Sequence, residues 1–422
     1  MRDPSRRDTF RIAAGLAAGT VAGAIPDLSA AAADARADEA RRRYLTPGDE
    51  FGDVSRGDPV PHSLRGEALV KARLTPEAWR LEVVAEGKAK VPSPRRIDDG
   101  TAVDLATLAK LGEAKGVLFL KAMQCTNIAY PLGQGLWEGV PLREVLRLAG
   151  PMKEVRRVAY WGFHNDDPKQ LFRSSLAINQ VLDTPPGELP PLVAYRLNGG
   201  PIPLERGGPV RMIVPWAHGF KSIKWLRHVV LTNDYRANDT YALEDNDPES
   251  YLKTAAYIDD DEREATFATG TPAIIRGTAM VGWPGLDRVE CWLRPIPEPA
   301  PARAAELKDD DPAWATATWK ACRMDPPPSD LAAELPAGVD PARIWGFGRD
   351  GRPREWPMRY SLAPWSVTLE GLKPGTYELR ARAVDRNGFA QPEPRPFAQR
   401  SGMNGIQARR IRIGDGPPRA GR

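Results

Sequence analysis

A chain of 422 residues, 42% of them hydrophobic and 27% charged, is long enough to bury a sizeable core and to form more than one domain. Its formal net charge of +4 leaves no electrostatic footprint for nucleic acid and no polybasic membrane patch. Three cysteines without regular spacing argue against a disulfide framework, and four histidines, none in an H-E-x-x-H array, give no zinc signature.

Taken in chain order, Ser5-Arg6-Arg7 precedes an apolar run from Ile12 to Ile25 and small residues from Ala30 to Ala33. This reads as a twin-arginine export signal over 1–33, with a periplasmic destination, and the run is shorter than the roughly 20 residues of a spanning helix. Tyr44 to Ser63 is dense in turn residues and reads as an ordered loop. Trp79 to Ala85 alternates as a strand, Thr101 to Gly112 has helical spacing, and Gly116 to Leu120 is a buried strand. That strand is expected to deliver Cys125 to an exposed polar edge. Two readings of the thiol stand there: a small buried hydrophobe, or a thiolate favoured by nearby Lys121 and able to bind a soft metal. Val140 to Leu148 is expected as a helix stopped by Gly150 and Pro151.

Val155 to Phe163 is the next expected strand, and it runs into His164, Asp166 and Asp167, either functional groups at a strand end or good turn formers. A short helix is expected over Leu176 to Leu182, then strands over Leu192 to Leu197 and Val210 to Pro215. Between Trp216 and Trp225, Lys221 and Lys224 flank Ser222, with Gly219 permitting close backbone approach. Two readings stand there: an amphipathic turn with solvated lysines, or, with Arg206 and Arg211 across one short strand, a cationic cradle for a phosphate. Asn233 to Asp261 is polar and marks a domain boundary. Beyond Thr269 the segments AIIRGTAMVG, RVECWLRP, WSVTLEGL and TYELRARAVD read as antiparallel strands of an immunoglobulin-like sandwich, with Pro295–Pro301 and Asp325–Arg354 as long loops. The fold class expected is α+β.

Three separated segments, QCTN with GQGLWEGVPLREVLRLAG and later RLNGGPIPLERGGPVRMIVPWAHGFKSIKWLRHVVLTND, resemble in content and order the molybdopterin domain of the sulfite oxidase family. The resemblance reaches from about residue 45 to about 415, beyond the size of a single domain. It implies a mixed α/β molybdopterin domain over 44–240 and an immunoglobulin-like dimerisation domain over 262–415. It further implies a Mo-molybdopterin cofactor with Cys125 as molybdenum ligand, and Arg206, Arg211, Lys221, Ser222, Ile223 and Lys224 around the pterin phosphate. Asn127, His164 and Asp166 would position the cofactor, while Asp49, Glu50 and Arg56 would approach the pterin. The implied reaction is oxygen-atom transfer on a small sulfur-containing substrate, with an external electron carrier such as a cytochrome and a homodimer through the C-terminal domain.

Three departures bear on the substrate. Ile128 and Ala129 stand where sulfite oxidases continue with arginines, Arg206 replaces a histidine, and Phe172 stands where a tyrosine is expected, with Arg173 able to restore some charge. Those losses weaken the case for a small dianion, and GFKSIK is similar to the periplasmic molybdenum reductases that repair methionine sulfoxide. Sulfoxide reduction and a cofactor-free binding protein on the same fold are the alternatives. No G-x-G-x-x-G after a strand, no G-x-x-x-x-G-K-[ST] and no C-x-x-C-H occurs, so nucleotides and covalent haem find no support.

Overall fold

The computed structural model describes residues 44–125, 128, 130–244, 246–259, 264–297, 307, 311–327, 331–392 and 404–414; the export signal expected over 1–33 and Asn127 lie outside them. Up to residue 240 the strands are β1 (Glu82–Glu86), β2 (Val117–Met123), β3 (Gly133–Pro141), β4 (Arg157–Gly162), β5 (Arg173–Ala177), β6 (Leu192–Leu197), β7 (Gly200–Pro201), β8 (Arg211–Ile213) and β9 (Leu226–Thr232). They form two sheets. One has the order β1-β9-β4-β5, with β1 parallel to β9 and the other pairs antiparallel. The other runs β2-β3-β6-β7, with β8 also on β6, and is antiparallel throughout.

Side chains of both sheets and of the helices Leu105–Lys115 and Leu142–Arg147 meet in one core around Val83, Leu108, Leu146, Val158, Val193 and Val229. Each such residue contributes about 1.5–3 kcal/mol when fully buried, which is what fixes the sheets against each other. The helix expected from Thr101 begins later, because the Asp104 carboxylate accepts the Thr107 N–H at 2.8 Å and caps it. The helix expected over Val140–Leu148 is half strand. Trp137 pairs with Phe119 on one side and Leu197 on the other, so β3 persists to Pro141 and only Leu142–Arg147 is helical. Leu176–Leu182 is corrected in the same way: β5 ends at Ala177 and the helix is Ile178–Leu182.

The C-terminal part has β10 (Ala255–Ile258), β11 (Glu264–Phe267), β12 (Ala273–Met280), β13 (Leu286–Ile296), β14 (Lys320–Ala321), β15 (Arg323–Met324), β16 (Leu362–Leu369), β17 (Gly375–Asp385) and β18 (Gln407–Ile413). One sheet has the order β10-β12-β16-β15 and the other β11-β18-β17-β13-β14. Their facing residues, among them Ile275, Val289, Trp365, Leu379 and Ile411, share a core. The chain as described is thus mixed and sheet-rich with few, short helices. A further cluster, with Phe119, Met123 and Trp137 against Tyr257, Met280 and Tyr360, joins the β2-β3-β6 sheet to the C-terminal strands. No helix among the described residues is long and apolar enough to cross a membrane.

Candidate active site

A cavity of about 130 Å³ lies where the two N-terminal sheets meet. The β2-β3-β6 sheet side supplies Met123, Cys125, Trp137 and Arg211; the other side supplies Gly162 to His164, Phe172 and the segment leading into β9. The expected exposed edge at Cys125 is corrected. Because β2 runs on to Met123, the cysteine arrives 8% exposed, in the cavity wall. Gly219 N–H donates to Gln124 O at 2.6 Å, and a Cβ at 219 would sit 3.1 Å from that oxygen and 3.8 Å from Cys125 Cα. Glycine there lets the two segments close on each other. Lys121, expected to favour the thiolate, does not reach the cavity: its Nζ donates to Pro215 O (2.6 Å) and Ala217 O (3.1 Å), and burial pushes its pKa down to about 7.

Of the expected phosphate cradle, Arg206, Arg211, Ser222, Ile223 and Lys224 line the cavity. Arg206 Nη1 donates to Phe51 O (2.7 Å) and Gly52 O (2.9 Å), holding the loop that begins at Tyr44 over the site. Arg211 donates to Arg206 O (2.7 Å) and Ser222 O (2.6 Å); burial, then the Arg206 charge, lowers its pKa to about 9, which leaves it charged at neutral pH. Ser222 Oγ accepts the Val214 N–H. Lys221 is corrected: its ammonium lies below the cavity wall, ion-paired with the fully buried Asp239 and donating to Ser175 O at 2.8 Å. Lys221 ends the 3-10 turn Gly219–Lys221 and Lys224 follows three residues on, and the two point to different partners.

Lys224 is held by Asp53 (2.8 Å), Ser55 Oγ (2.6 Å) and Glu205 O (2.7 Å). Burial, then the Arg211 charge, lowers its pKa to about 8; burial would raise Asp53, yet Lys224 and Ser55 hold it down to about 2. A lysine so depressed carries its charge below about pH 8 and loses it above. Retention of a phosphate-bearing ligand should therefore weaken as pH rises from about 7 to about 9, and Lys224→Met should flatten that dependence. Dialysis at each pH followed by measurement of retained pterin checks it.

The remaining expectations divide. His164 lines the cavity, with Nδ1 3.3 Å from Gly162 O, and Phe172 lines it as well. Arg173 does not: it lies 3.5 Å from Glu86 and over the Trp161 ring. Asp166 is exposed and accepts from Arg227 at 2.8 Å, while Asp49 and Glu50 are exposed on a turn just before the cavity wall begins at Phe51. Sequence reasoning missed Tyr241. Its hydroxyl accepts a hydrogen bond from Arg56 Nη2, its ring meets Phe172 edge-on at 5.2 Å, and burial raises its pKa, with the charge of a Cys125 thiolate acting in the same direction. The Arg56 guanidinium lies 4.8 Å from the Phe172 ring and 5.1 Å from that of Tyr241, so a cation is clamped between two aromatic faces. A phenol, absent at 172, is thus present in the cavity wall at 241.

Cavity cations Arg56, Arg206, Arg211 and Lys224 outnumber the carboxylates that meet them, Asp53 and Glu205. Arg206 Nε and Arg211 Nε are buried without an acceptor among the described residues. Such donors suit an anionic ligand in the cavity. No group of three or more His, Cys, Asp or Glu able to hold a metal occurs among the described residues, so a metal at Cys125 would need its other ligands from an organic carrier. The donor set fits a phosphate-bearing metal carrier with one protein thiolate.

Residues 69–240 match the family model described as the oxidoreductase molybdopterin binding domain. The chain is 35% identical over 186 residues to a protein-methionine-sulfoxide reductase catalytic subunit, MsrP, of Xanthomonas campestris pv. campestris, a match covering 42% of this chain and 48% of that protein. It is 23% identical over 270 residues to the mitochondrial sulfite oxidase of Drosophila melanogaster, covering 62% and 42%. With the NADPH nitrate reductase of Fusarium oxysporum it shares 32% identity over 115 residues, 27% of this chain and 12% of that one. It thus spans less than half the length of these curated relatives. The fold is similar to the sulfane dehydrogenase SoxCD of Paracoccus pantotrophus, with a TM-score of 0.53, 17% identity and coverage of 83% of this chain and 82% of that one.

Proposed function

From a chain that belongs to the molybdopterin-dependent oxidoreductases of the sulfite oxidase family, we propose an enzyme of oxygen-atom transfer on a small sulfur oxyanion. The observation that carries the reading is the Arg56–Tyr241 pair facing the same cavity as Cys125. Cys125 would hold the molybdenum, and Arg206, Arg211, Ser222, Ile223 and Lys224 the pterin phosphate. When bound, the cofactor supplies the oxygen atom's exchange and stores the electron pair. Arg56, fixed between its two rings, would bind the oxyanion with little loss of side-chain freedom. The Tyr241 hydroxyl accepts from Arg56 and finds no acceptor for its own proton among the described residues, so it can donate to substrate oxygen. Phe172 and Phe220 wall the same space and keep water from it.

Sulfoxide reduction is the second reading, favoured by the aromatic wall, which suits a thioether-like group, and by the similarity to a methionine-sulfoxide reductase. The two part company in one experiment. A ferricyanide assay with sulfite is expected to give turnover, and Arg56→Met to lower kcat/KM for sulfite about 10- to 100-fold, the worth of a hydrogen bond to a charged group. Viologen-driven reduction of sulfoxides without sulfite turnover would establish the second reading instead. Domain limits of 44–240 and 262–415, an immunoglobulin-like dimerising C-terminal part, twin-arginine export to the periplasm and an external cytochrome-like electron carrier complete the proposal.

A further inference from the structure

Cys291 and Cys322, far from the cavity, come together in the C-terminal sandwich. Cys291 lies on β13 opposite Lys320 of β14, 2% exposed, with its side chain in the core shared by the two sheets. Cys322 follows β14 directly, donates its N–H to Val289 O at 2.8 Å, and packs half-buried against the same core. Register places both on one face of neighbouring strands, Cys322 opposite Val289 and two residues along that face from Cys291. Cys322 is also the single residue between β14, paired in one sheet, and β15, paired with β16 in the other. It stands at the corner where the chain changes sheets.

We infer that Cys291 and Cys322 form a dithiol site that closes to an intramolecular disulfide when the protein meets a disulfide oxidant. Cys322 is the accessible sulfur and the one that reacts first. Its thiolate attacks a sulfur of the oxidant's disulfide, the oxidant's S–S bond breaks, and one oxidant thiolate leaves. Cys291 then attacks Cys322 in the mixed disulfide and displaces the second oxidant thiol. Two protein S–H bonds are lost and one S–S bond forms; the two electrons go to the oxidant, which ends as two thiols after taking up the released protons. The neighbouring sulfur lowers the pKa of Cys291 and raises that of Cys322, so Cys322 must shed its proton before it attacks, while Cys291 ionises readily to resolve the mixed disulfide. The corner residue has β14, a two-residue edge strand, on one side, which leaves room for the small backbone adjustment that disulfide geometry demands. The bond would staple the sheet-changing corner to a central strand and close a ring holding Trp314 and Trp319, which pack with Trp292 over the outer face of β13.

The test uses the full chain, reduced and then equilibrated in mixtures of oxidised and reduced glutathione, acid-quenched, denatured and alkylated. Of the three cysteines, wild type should pass to a state with one alkylated thiol, Cys125, and a peptide linking 291 to 322. Cys322→Ser, at a half-buried corner, should keep Cys291 alkylated throughout. Three alkylated thiols at the oxidising end, or a glutathione adduct on Cys322 with no linked peptide, overturns the inference.

Discussion

Cys125→Ser should abolish turnover while the protein still folds, with kcat lower by at least about 10³-fold, or about 4 kcal/mol of transition-state stabilisation. The sulfur is small, and a serine hydroxyl occupies nearly the same volume in a wall that already meets the cavity, so the cost in stability should be about 1 kcal/mol or less. What changes is the donor: a soft anionic sulfur becomes a neutral hydroxyl that binds a soft metal poorly. Because Arg206, Arg211 and Lys224 are untouched, the variant should keep pterin in excess of active molybdenum. Metal analysis, pterin release and a melting curve on one preparation check all three quantities. Wild-type turnover from the serine variant would sink the assignment of the sulfur as ligand.

Asp239→Ala should be the most destabilising single change at the site, by about 3–5 kcal/mol. Asp239 and Lys221 are 0% and 1% exposed, and removing the carboxylate strands an ammonium whose one other acceptor among the described residues is Ser175 O. Burial lowers the Lys221 pKa and Asp239 opposes that, so in the variant the lysine is freer to shed its proton. The sign follows: the unfolded chain then holds one proton more than the folded one, and the variant should regain stability as pH rises toward the ordinary lysine value. A Lys221→Met/Asp239→Leu double variant, with no stranded charge, should lose less. Denaturant titrations across pH measure each; a single variant within about 1 kcal/mol of wild type would refute the account. Activity should fall too, since Asp239 lies two residues before Tyr241 and ties that loop to the segment carrying Ser222 and Lys224.

Strands whose apolar runs are bounded by turns were legible in the sequence: β4, β6 and the alternating β17 are where the pattern places them. Where one run satisfies two periods the reading failed. GLWEGVPLREVL carries helical spacing, yet its first half pairs with strands on both sides, and pairing is a long-range fact. The same limit governs the site. Cys125, Arg206, Arg211 and Lys224 could be named because local motif chemistry marks them. Which of Lys221 and Lys224 faces the cavity depends on Asp239, far along the chain, and Tyr241 sits in a polar stretch that reads as a boundary. Asp49 and Glu50 rest on the family resemblance, Asp166 on its place at a strand end and Arg173 on its charge, and side-chain direction decides against them: Asp49 and Glu50 are exposed, Asp166 meets Arg227 and Arg173 meets Glu86. The Cys291–Cys322 pair was hidden by an odd cysteine count.

The cavity belongs to neither N-terminal sheet, since β2 delivers the cysteine from one and the approach to β9 delivers the lysine from the other. Contacts so distant in sequence close late in folding, after their loop entropy has been met. If the cavity seats the cofactor as proposed, a half-folded molecule has no seat for it, and cofactor capture would work as a checkpoint: only a chain with both sheets assembled could be charged, and a charged chain would be a finished one.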